Sequence, residues 1–252
     1  MKKITTILFA AAAFLSTTKA IAQSTDTAHM HHWHMRDVSH EALLQVTYRN
    51  NNLNDLNQVL NNNGIPSLGH NDIWISAAMS SMCHHLIMEH GLGFTPVTTA
   101  ENNNIKAKYN QYEAFMRLGY DVSKNADVRI YPFVGLNFSA AVLRIQDDGR
   151  TKSTSDFSQE LLNNTASKTF YQPNFGIELG AGLDYLIKLK AKKMDRFTVE
   201  RNIPIGIRAG YYINAARGDW KIDNYKLQNG PDKKQGAFFV SLNIGLGFKV
   251  KK

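Results

Sequence analysis

Charged residues alternate with apolar side chains in several stretches of the chain, so that in a strand the two kinds of side chain would point to opposite faces. The set contains acids and bases in similar number: Glu89, Glu113, Arg117, Asp121, Arg129, Glu178, Asp184, Arg208 and Lys249. Charged side chains inside a barrel must be paired with opposite charges or hydrated by internal water. The set therefore predicts an internal network of ion pairs, with a narrow path for ions or protons as the alternative.

A second group of chemically active residues is a cluster of histidines and methionines near the N-terminus. The candidate metal ligands are His29, His31, His32 and His34. Imidazole binds borderline metals, and the thioethers of Met30 and Met35 favour reduced copper. The same stretch lacks a packing pattern, which is typical of a loose terminus. We therefore predict a flexible His-rich arm over residues 23–41, with a metal site as the alternative.

A catalytic site is not expected. His90, with Ser80 and Ser81 on the neighbouring strand, could supply a base and a nucleophile, but the sequence indicates no third group to orient them. There is no phosphate-binding loop, paired-cysteine metal motif or nucleophile elbow. The sequence therefore predicts a protein that is not an enzyme and that needs no cofactor.

Strict alternation of apolar and polar or small residues dominates the elements that would position these side chains. From Phe238 to Val250 every second residue is apolar, and the same pattern runs from Phe175 to Ile187. This period of two predicts β-strands with one apolar face. Eight such strands are expected, at about 42–49, 71–81, 84–96, 105–122, 126–146, 168–188, 201–215 and 236–251. An even number of antiparallel strands can close into a barrel.

One helix is predicted within the connection that follows the first strand. Leu53, Leu56 and Leu60 have helical spacing in an asparagine-rich stretch, and Gly64 and Pro66 follow as stop signals. We expect a short amphipathic helix that packs against the barrel or covers its mouth.

The N-terminus has the features of an export signal. Residues 1–22 combine Lys2 and Lys3, a short apolar core and an Ala-Ile-Ala site before Gln23, and this pattern is typical of a secretory signal peptide. Its removal, which includes Lys19, lowers the formal net charge from +8 to +5. We therefore do not expect an exported protein of this mild net charge to bind nucleic acid. The remaining organisation is the arm at 23–41 and one barrel domain at 42–252, in which the single cysteine, Cys83, is expected to pack.

Connection lengths and aromatic positions test the barrel independently. Links 50–70, 97–104, 147–167 and 216–235 fall at one end, and links 82–83, 123–125 and 189–200 fall at the other. Membrane barrels have long loops outside the cell and short periplasmic turns; the 12-residue link 189–200 would fit only if its strands continue past the membrane edge. Phe238 and Phe248 are ten residues apart, which at about 3.3 Å per residue and roughly 45° tilt projects to about 23 Å, close to the ~25 Å apolar band of such barrels.

These features resemble the small outer-membrane barrels of the OmpA and OmpX type, and more closely the outer-membrane β-barrel proteins called PorT-like. The resemblance is carried by the signal peptide, by Asn-Leu-Asn-Asp-Leu-Asn-Gln-Val-Leu at 52–60 and by Gly-Ile-Glu-Leu-Gly-Ala-Gly-Leu-Asp at 176–184. It implies a transmembrane barrel in the outer membrane of a Gram-negative cell envelope. The expected partners are membrane lipid, the barrel-assembly machinery and, through loops 147–167 and 216–235, an extracellular or envelope protein.

The sequence favours the first of three functions and leaves the other two as alternatives. The first is a structural or surface-interaction role with a lumen filled by paired charges. The second is a narrow pore or small-solute transporter. The third is a soluble periplasmic barrel with its apolar face inside, which would bind a hydrophobic ligand.

Overall fold

The computed structural model describes residues 38–70, 72–102, 105–147, 167–194, 197–223, 225–228, 230–231 and 236–251. The strands in these ranges are β1 (Val38–Arg49), β2 (Ile73–Cys83), β3 (Leu86–Phe94), β4 (Thr98–Asn102), β5 (Ile105–Tyr120), β6 (Val128–Asp147), β7 (Lys168–Met194), β8 (Phe197–Arg217), β9 (Lys221–Ile222), β10 (Tyr225–Lys226) and β11 (Gly236–Lys251). A helix, α1, spans Asn54–Asn62.

The long strands close into a barrel. The ring runs β1-β2-β3-β5-β6-β7-β8-β11, and β11 returns to pair with β1. Every pair in the ring is antiparallel. Closure leaves the ring without a sheet edge, and the predicted all-β, antiparallel eight-stranded barrel is confirmed. The short strand β4 pairs with β5, and β9 pairs with β7 and β10.

The two faces of the barrel wall have opposite character. Apolar side chains point outward, with Leu246 66% and Leu242 62% exposed, whereas polar side chains such as Asn137 (0%) and Arg208 (2%) point inward. A soluble lipocalin-like barrel has the reverse arrangement, so the alternative of a barrel with an apolar interior is wrong. An outward apolar face with a polar interior is the arrangement of a transmembrane barrel.

The outward apolar face forms a belt that ends in aromatic side chains. Near the long connections these are Tyr48, Phe94, Tyr112, Phe138 and Phe238, and near the short turns they are Tyr120, Tyr185 and Phe248. Aromatic rings at both borders are the arrangement that barrels use at the two membrane interfaces. We call the two ends of the barrel the long-loop end and the short-turn end. No helix among the described residues is long and apolar enough to span a bilayer.

Several boundaries differ from the predicted ones. Strand β1 begins at Val38, so residues 38–41, which were assigned to the arm, belong to the barrel wall. The link 189–200 is shorter than the predicted strand ends implied, because β7 continues to Met194 and β8 begins at Phe197, and this is the strand extension that the barrel required. Cys83 is exposed at the short-turn end and does not pack in the interior.

The helix α1 covers an apolar cluster at the long-loop end, as its leucine spacing predicted. Leu56 and Leu60 are buried in this cluster, whose other buried members are Leu53, Leu68, Ala107, Tyr109, Ala141, Leu143 and Trp220. Asn57 ties the helix to the following loop, since its side-chain amide bonds both the carbonyl and the N–H of Leu68, at 3.0 and 2.9 Å. The helix therefore rests on strands β5 and β6, which extend beyond the belt.

Glycines on the inner face make room for large side chains. Tyr131 lies directly across from Gly182 and Phe133 across from Gly180. A Cβ at Gly182 would come within 2.4 Å of the Tyr131 ring, and one at Gly180 within 2.8 Å of the Phe133 ring. Since an eight-stranded barrel has just enough space for its own side chains, these glycines allow rings from a neighbouring strand to fill the interior.

Candidate functional site

A cluster of ion pairs crosses the middle of the barrel. Arg117 bonds Glu178 through Nε at 2.7 Å and Glu89 through Nη1 at 2.8 Å. Arg208 reaches the second oxygen of Glu89 at 2.7 Å. Arg49 bonds Glu113 at 2.9 Å and lies 3.8 Å from Glu178. We call Arg49, Glu89, Glu113, Arg117, Glu178 and Arg208 the central cluster.

The central cluster is balanced in charge and closed to solvent. Its three arginines and three glutamates come from β1, β3, β5, β7 and β8, so side chains from around the ring meet in the interior. All six side chains are at most 6% exposed. A buried charge is tolerated where it is paired and its remaining polar atoms are hydrogen bonded. In this cluster every charged side chain has a partner of opposite charge that also belongs to the cluster.

Two amides add hydrogen bonds to the glutamates. Gln45 donates to Glu89 at 3.0 Å and accepts from Arg117 at 3.1 Å. Asn137 donates to Glu113 at 2.8 Å and to Glu178 at 3.2 Å. Gln45 and Asn137 therefore link separate ion pairs into one network.

Aromatic rings enclose two of the guanidinium groups. The guanidinium carbon of Arg49 lies 3.9 Å from the centre of the Trp74 ring and 4.6 Å from the centre of the Tyr212 ring. That of Arg117 lies 4.2 Å from the Phe115 ring. A cation over an aromatic face gains electrostatic attraction, and the planar guanidinium can stack there while its edge bonds carboxylates. The rings thus fill the space around the cluster without competing for its hydrogen bonds.

A second polar group lies between the central cluster and the short-turn end. The Tyr131 hydroxyl donates to Asp184 at 2.8 Å and accepts from Arg208 Nε at 2.9 Å. Asn243 donates to the other Asp184 oxygen at 3.0 Å. Below it, Arg129 forms an ion pair with Glu41. Polar groups therefore occupy the interior from its centre to this end, and among these residues only Arg208 Nη1 and Asn243 Oδ1 are buried without a hydrogen-bond partner.

The structure brings together most, but not all, of the nine predicted charged residues. Five of them belong to the central cluster: Glu89, Glu113, Arg117, Glu178 and Arg208. Asp184 is connected to it through Tyr131, and Arg129 belongs to the separate pair with Glu41. Asp121 instead shapes the turn after β5, where it accepts from the N–H groups of Ser123 and Ile130. Lys249 lies outside the cluster, opposite Glu200 of β8.

Sequence reasoning missed Arg49, Gln45, Asn137 and Tyr131 as members of the network, and Glu41 as the partner of Arg129. Arg49 and Gln45 alternate with the outward Leu44, Val46 and Tyr48 of β1, so their inward direction could have been recognised. Glu41 was missed because residues up to 41 were assigned to the arm. Tyr131 has no charge pattern to mark it, and its role depends on the register that places it near Asp184.

A small cavity of about 60 Å³ lies above the central cluster at the long-loop end. Its polar lining includes Gln111, Gln172, Asn174, Tyr212 and Arg217, and Leu53 before α1 covers part of it. A space of this size holds one or two water molecules, which suits solvation of the amide groups more than binding of a solute.

The residues considered for catalysis do not converge. His90 lies in the middle of β3 and points outward within the apolar belt, not at a strand end, whereas Ser80 is buried on the inner face. Ser81 lies 2.9 Å from a ring nitrogen of His40, in hydrogen-bond contact with that residue. The predicted metal ligands His29, His31, His32 and His34 lie outside the described residues. Within the part of the chain that the structure describes, no group of three or more His, Cys, Asp or Glu residues could hold a metal ion.

Comparison with known proteins gives distant structural likenesses. No protein-family model and no curated protein matches the sequence. Neisserial surface protein A is similar at 10% identity, over 84% of this chain and 96% of its own, with a TM-score of 0.40. Ail of Yersinia pestis is 12% identical over 85% of this chain and 99% of its own, with a TM-score of 0.38.

The outer-membrane protease OmpT of Escherichia coli is also similar, at 9% identity over 90% of this chain and all of its own, with a TM-score of 0.33. Scores of this size are too low to assign a role to this chain. Its architecture rests on its own strand pairings, and the narrower PorT-like resemblance stays a prediction.

Proposed function

We propose that the protein is an outer-membrane barrel with a sealed lumen and a structural or surface-interaction role. The observation that carries the proposal is the central cluster, a charge-balanced group that crosses the interior and whose side chains are buried. Opening a path through it would separate buried ion pairs, and breaking such a pair is strongly destabilising. The apolar cluster under α1 covers the same interior at the long-loop end.

The long-loop end is the surface on which a partner would bind. Short turns face the periplasm and long loops face outward in membrane barrels, so loops 147–167 and 216–235 would lie outside the cell. Membrane lipid and the barrel-assembly machinery are the other proposed partners. Deletion of residues 148–166 is expected to abolish binding to a surface partner and to leave the heat-resistant mobility of the folded barrel in detergent unchanged.

Conductance across planar bilayers tests the sealed lumen against the pore. We expect the inserted protein to give no stepwise currents, and we expect Arg208→Ala to give none either, because neighbouring side chains still fill the bore of an eight-stranded barrel. Insertion is verified beforehand by the heat-dependent shift in gel mobility. Reproducible single-channel steps from the unmodified protein would overturn the proposal in favour of the pore.

A further inference from the structure

Two like charges face each other on the outer surface of the barrel above the apolar belt. Lys108 of β5 is the direct cross-strand partner of Arg144 of β6, and the two side chains lie on the outward face of the wall. Directly opposed residues have Cβ atoms about 4.5–5.5 Å apart, and like charges there are destabilising. Among the described residues, neither side chain forms an ion pair with an acidic group.

Two other lysines at this end of the barrel do have acidic partners, unlike Lys108 and Arg144. Lys106, next to Lys108 on the same face, bonds Glu101 at 3.0 Å, and Lys226 bonds Asp219 at 2.9 Å. Lys221 is placed beside Tyr171 of β7, with its ammonium 5.9 Å from the ring centre. We call Lys108, Arg144 and Lys221 the basic patch.

The basic patch lies at the outer edge of a lipid headgroup layer, within reach of its long side chains. Lys108 lies four residues beyond Tyr112, the last aromatic of the belt on β5, and Tyr171 lies four residues beyond Phe175. Four residues at about 3.3 Å and roughly 45° tilt correspond to about 9 Å. The polar layer of a bilayer extends roughly 5–8 Å beyond its hydrocarbon core, and lysine and arginine stems bend their charged ends towards such a layer.

We propose that the basic patch binds the phosphate groups of lipopolysaccharide in the outer leaflet. The inference rests on the proposed function, since it needs the long-loop end to face outward. A phosphate between Lys108 and Arg144 would replace their repulsion by two attractions, and arginine matches phosphate oxygens with two parallel hydrogen bonds. Lipid A has phosphates at the level of the headgroups, beside the aromatic border.

Binding of bisphosphorylated lipid A to the folded full chain, in a zwitterionic detergent, tests the proposal. The triple variant Lys108→Ala/Arg144→Ala/Lys221→Ala is expected to bind roughly 100-fold more weakly, or about 5-fold for each cation removed. A matched control removes the same charge at the short-turn end, in Lys190→Ala/Lys192→Ala/Lys193→Ala. This control should leave the affinity for lipid A unchanged, because its charges lie more than a Debye length away.

Other ligands identify the source of the phosphate. Dephosphorylated lipid A and phosphatidylglycerol should bind the unmodified protein weakly, and millimolar inorganic phosphate should not displace lipid A. Equal binding of dephosphorylated lipid A would overturn the proposal. Equal binding of phosphatidylglycerol, or displacement by inorganic phosphate, would assign the patch to another anion and also overturn it.

A charge reversal gives a readout that does not depend on binding. Lys108→Glu places a carboxylate opposite Arg144, so it should raise the unfolding temperature in detergent without lipid A and weaken lipid A binding further than Lys108→Ala does. An unfolding temperature that falls would contradict the repulsion between Lys108 and Arg144.

The orientation is tested separately with the native thiol. Cys83 is exposed at the short-turn end, so a membrane-impermeant polymeric maleimide should label it only after the outer membrane is permeabilised. Asn62→Cys, at an exposed position at the end of α1, in a Cys83→Ser background should be labelled on intact cells. Labelling of Cys83 on intact cells would overturn the orientation, and with it the proposed site, even where lipid A still binds in detergent.

Discussion

At the scale of single residues, the stability of the interior depends most directly on Arg117. Its guanidinium bonds Glu89, Glu178 and Gln45, so Arg117→Met would leave two buried carboxylates short of a partner. Removal of one member of a buried ion pair costs about 3–5 kcal/mol. We expect a loss of that size in the free energy of unfolding, measured by urea titration of the protein folded in lipid vesicles. Lys106→Met, which breaks the exposed pair with Glu101, should cost at most about 1 kcal/mol.

The double variant Arg117→Met/Glu178→Gln completes this test, because it removes charges of both signs. Its loss should be smaller than the sum of the two single losses, since contacting residues are not additive. Strict additivity, or equal losses for Arg117→Met and Lys106→Met, would show that the cluster does not act as a buried network.

The same residues show what the sequence could predict at this scale. Alternation determines the face of the wall to which a side chain points, so the inward direction of Glu113, Arg117 and Glu178 was predictable. The partners were not, because Arg49 and Glu113 are 64 positions apart and meet only through the register of the ring. Asp121 and Lys249 follow the alternation at strand ends, where it no longer implies membership in the interior network.

At the scale of elements, helix α1 is stabilised by what it covers. An isolated helix of nine residues is marginal in water, and Leu60 is buried in the apolar cluster at the long-loop end. Leu60→Ala removes a packed side chain, which in a core costs about 2–5 kcal/mol. We expect faster hydrogen exchange of the amides of Asn54–Asn62, while the strand amides of the belt keep their protection. The spacing of its leucines predicted the helix, but not that Trp220, which is distant in the chain, belongs to the same apolar cluster.

Val59 offers the matched control for this element, because it lies on the same helix and is 39% exposed. Val59→Ala should leave exchange of the helix nearly unchanged. Equal acceleration in both variants would mean that the helix does not depend on the cluster beneath it. Loss of protection throughout the strands would mean that helix and barrel unfold as one unit.

At the scale of the whole molecule, the direction of the apolar face determines which solvent surrounds the barrel. Ile244 lies near the middle of the belt on β11, between Phe238 and Phe248, and Val250 lies beyond Phe248. Arginine on the lipid face of a barrel costs about 2–4 kcal/mol at the midplane and about 0–1 near an interface. We therefore expect Ile244→Arg to lower the free energy of unfolding in lipid vesicles by that larger amount and Val250→Arg to lower it only slightly. In a barrel surrounded by water both positions would be exposed, and both arginines would be tolerated equally. Equal, small effects would thus contradict the membrane belt, while a loss confined to Ile244→Arg would measure the depth of that residue in the bilayer.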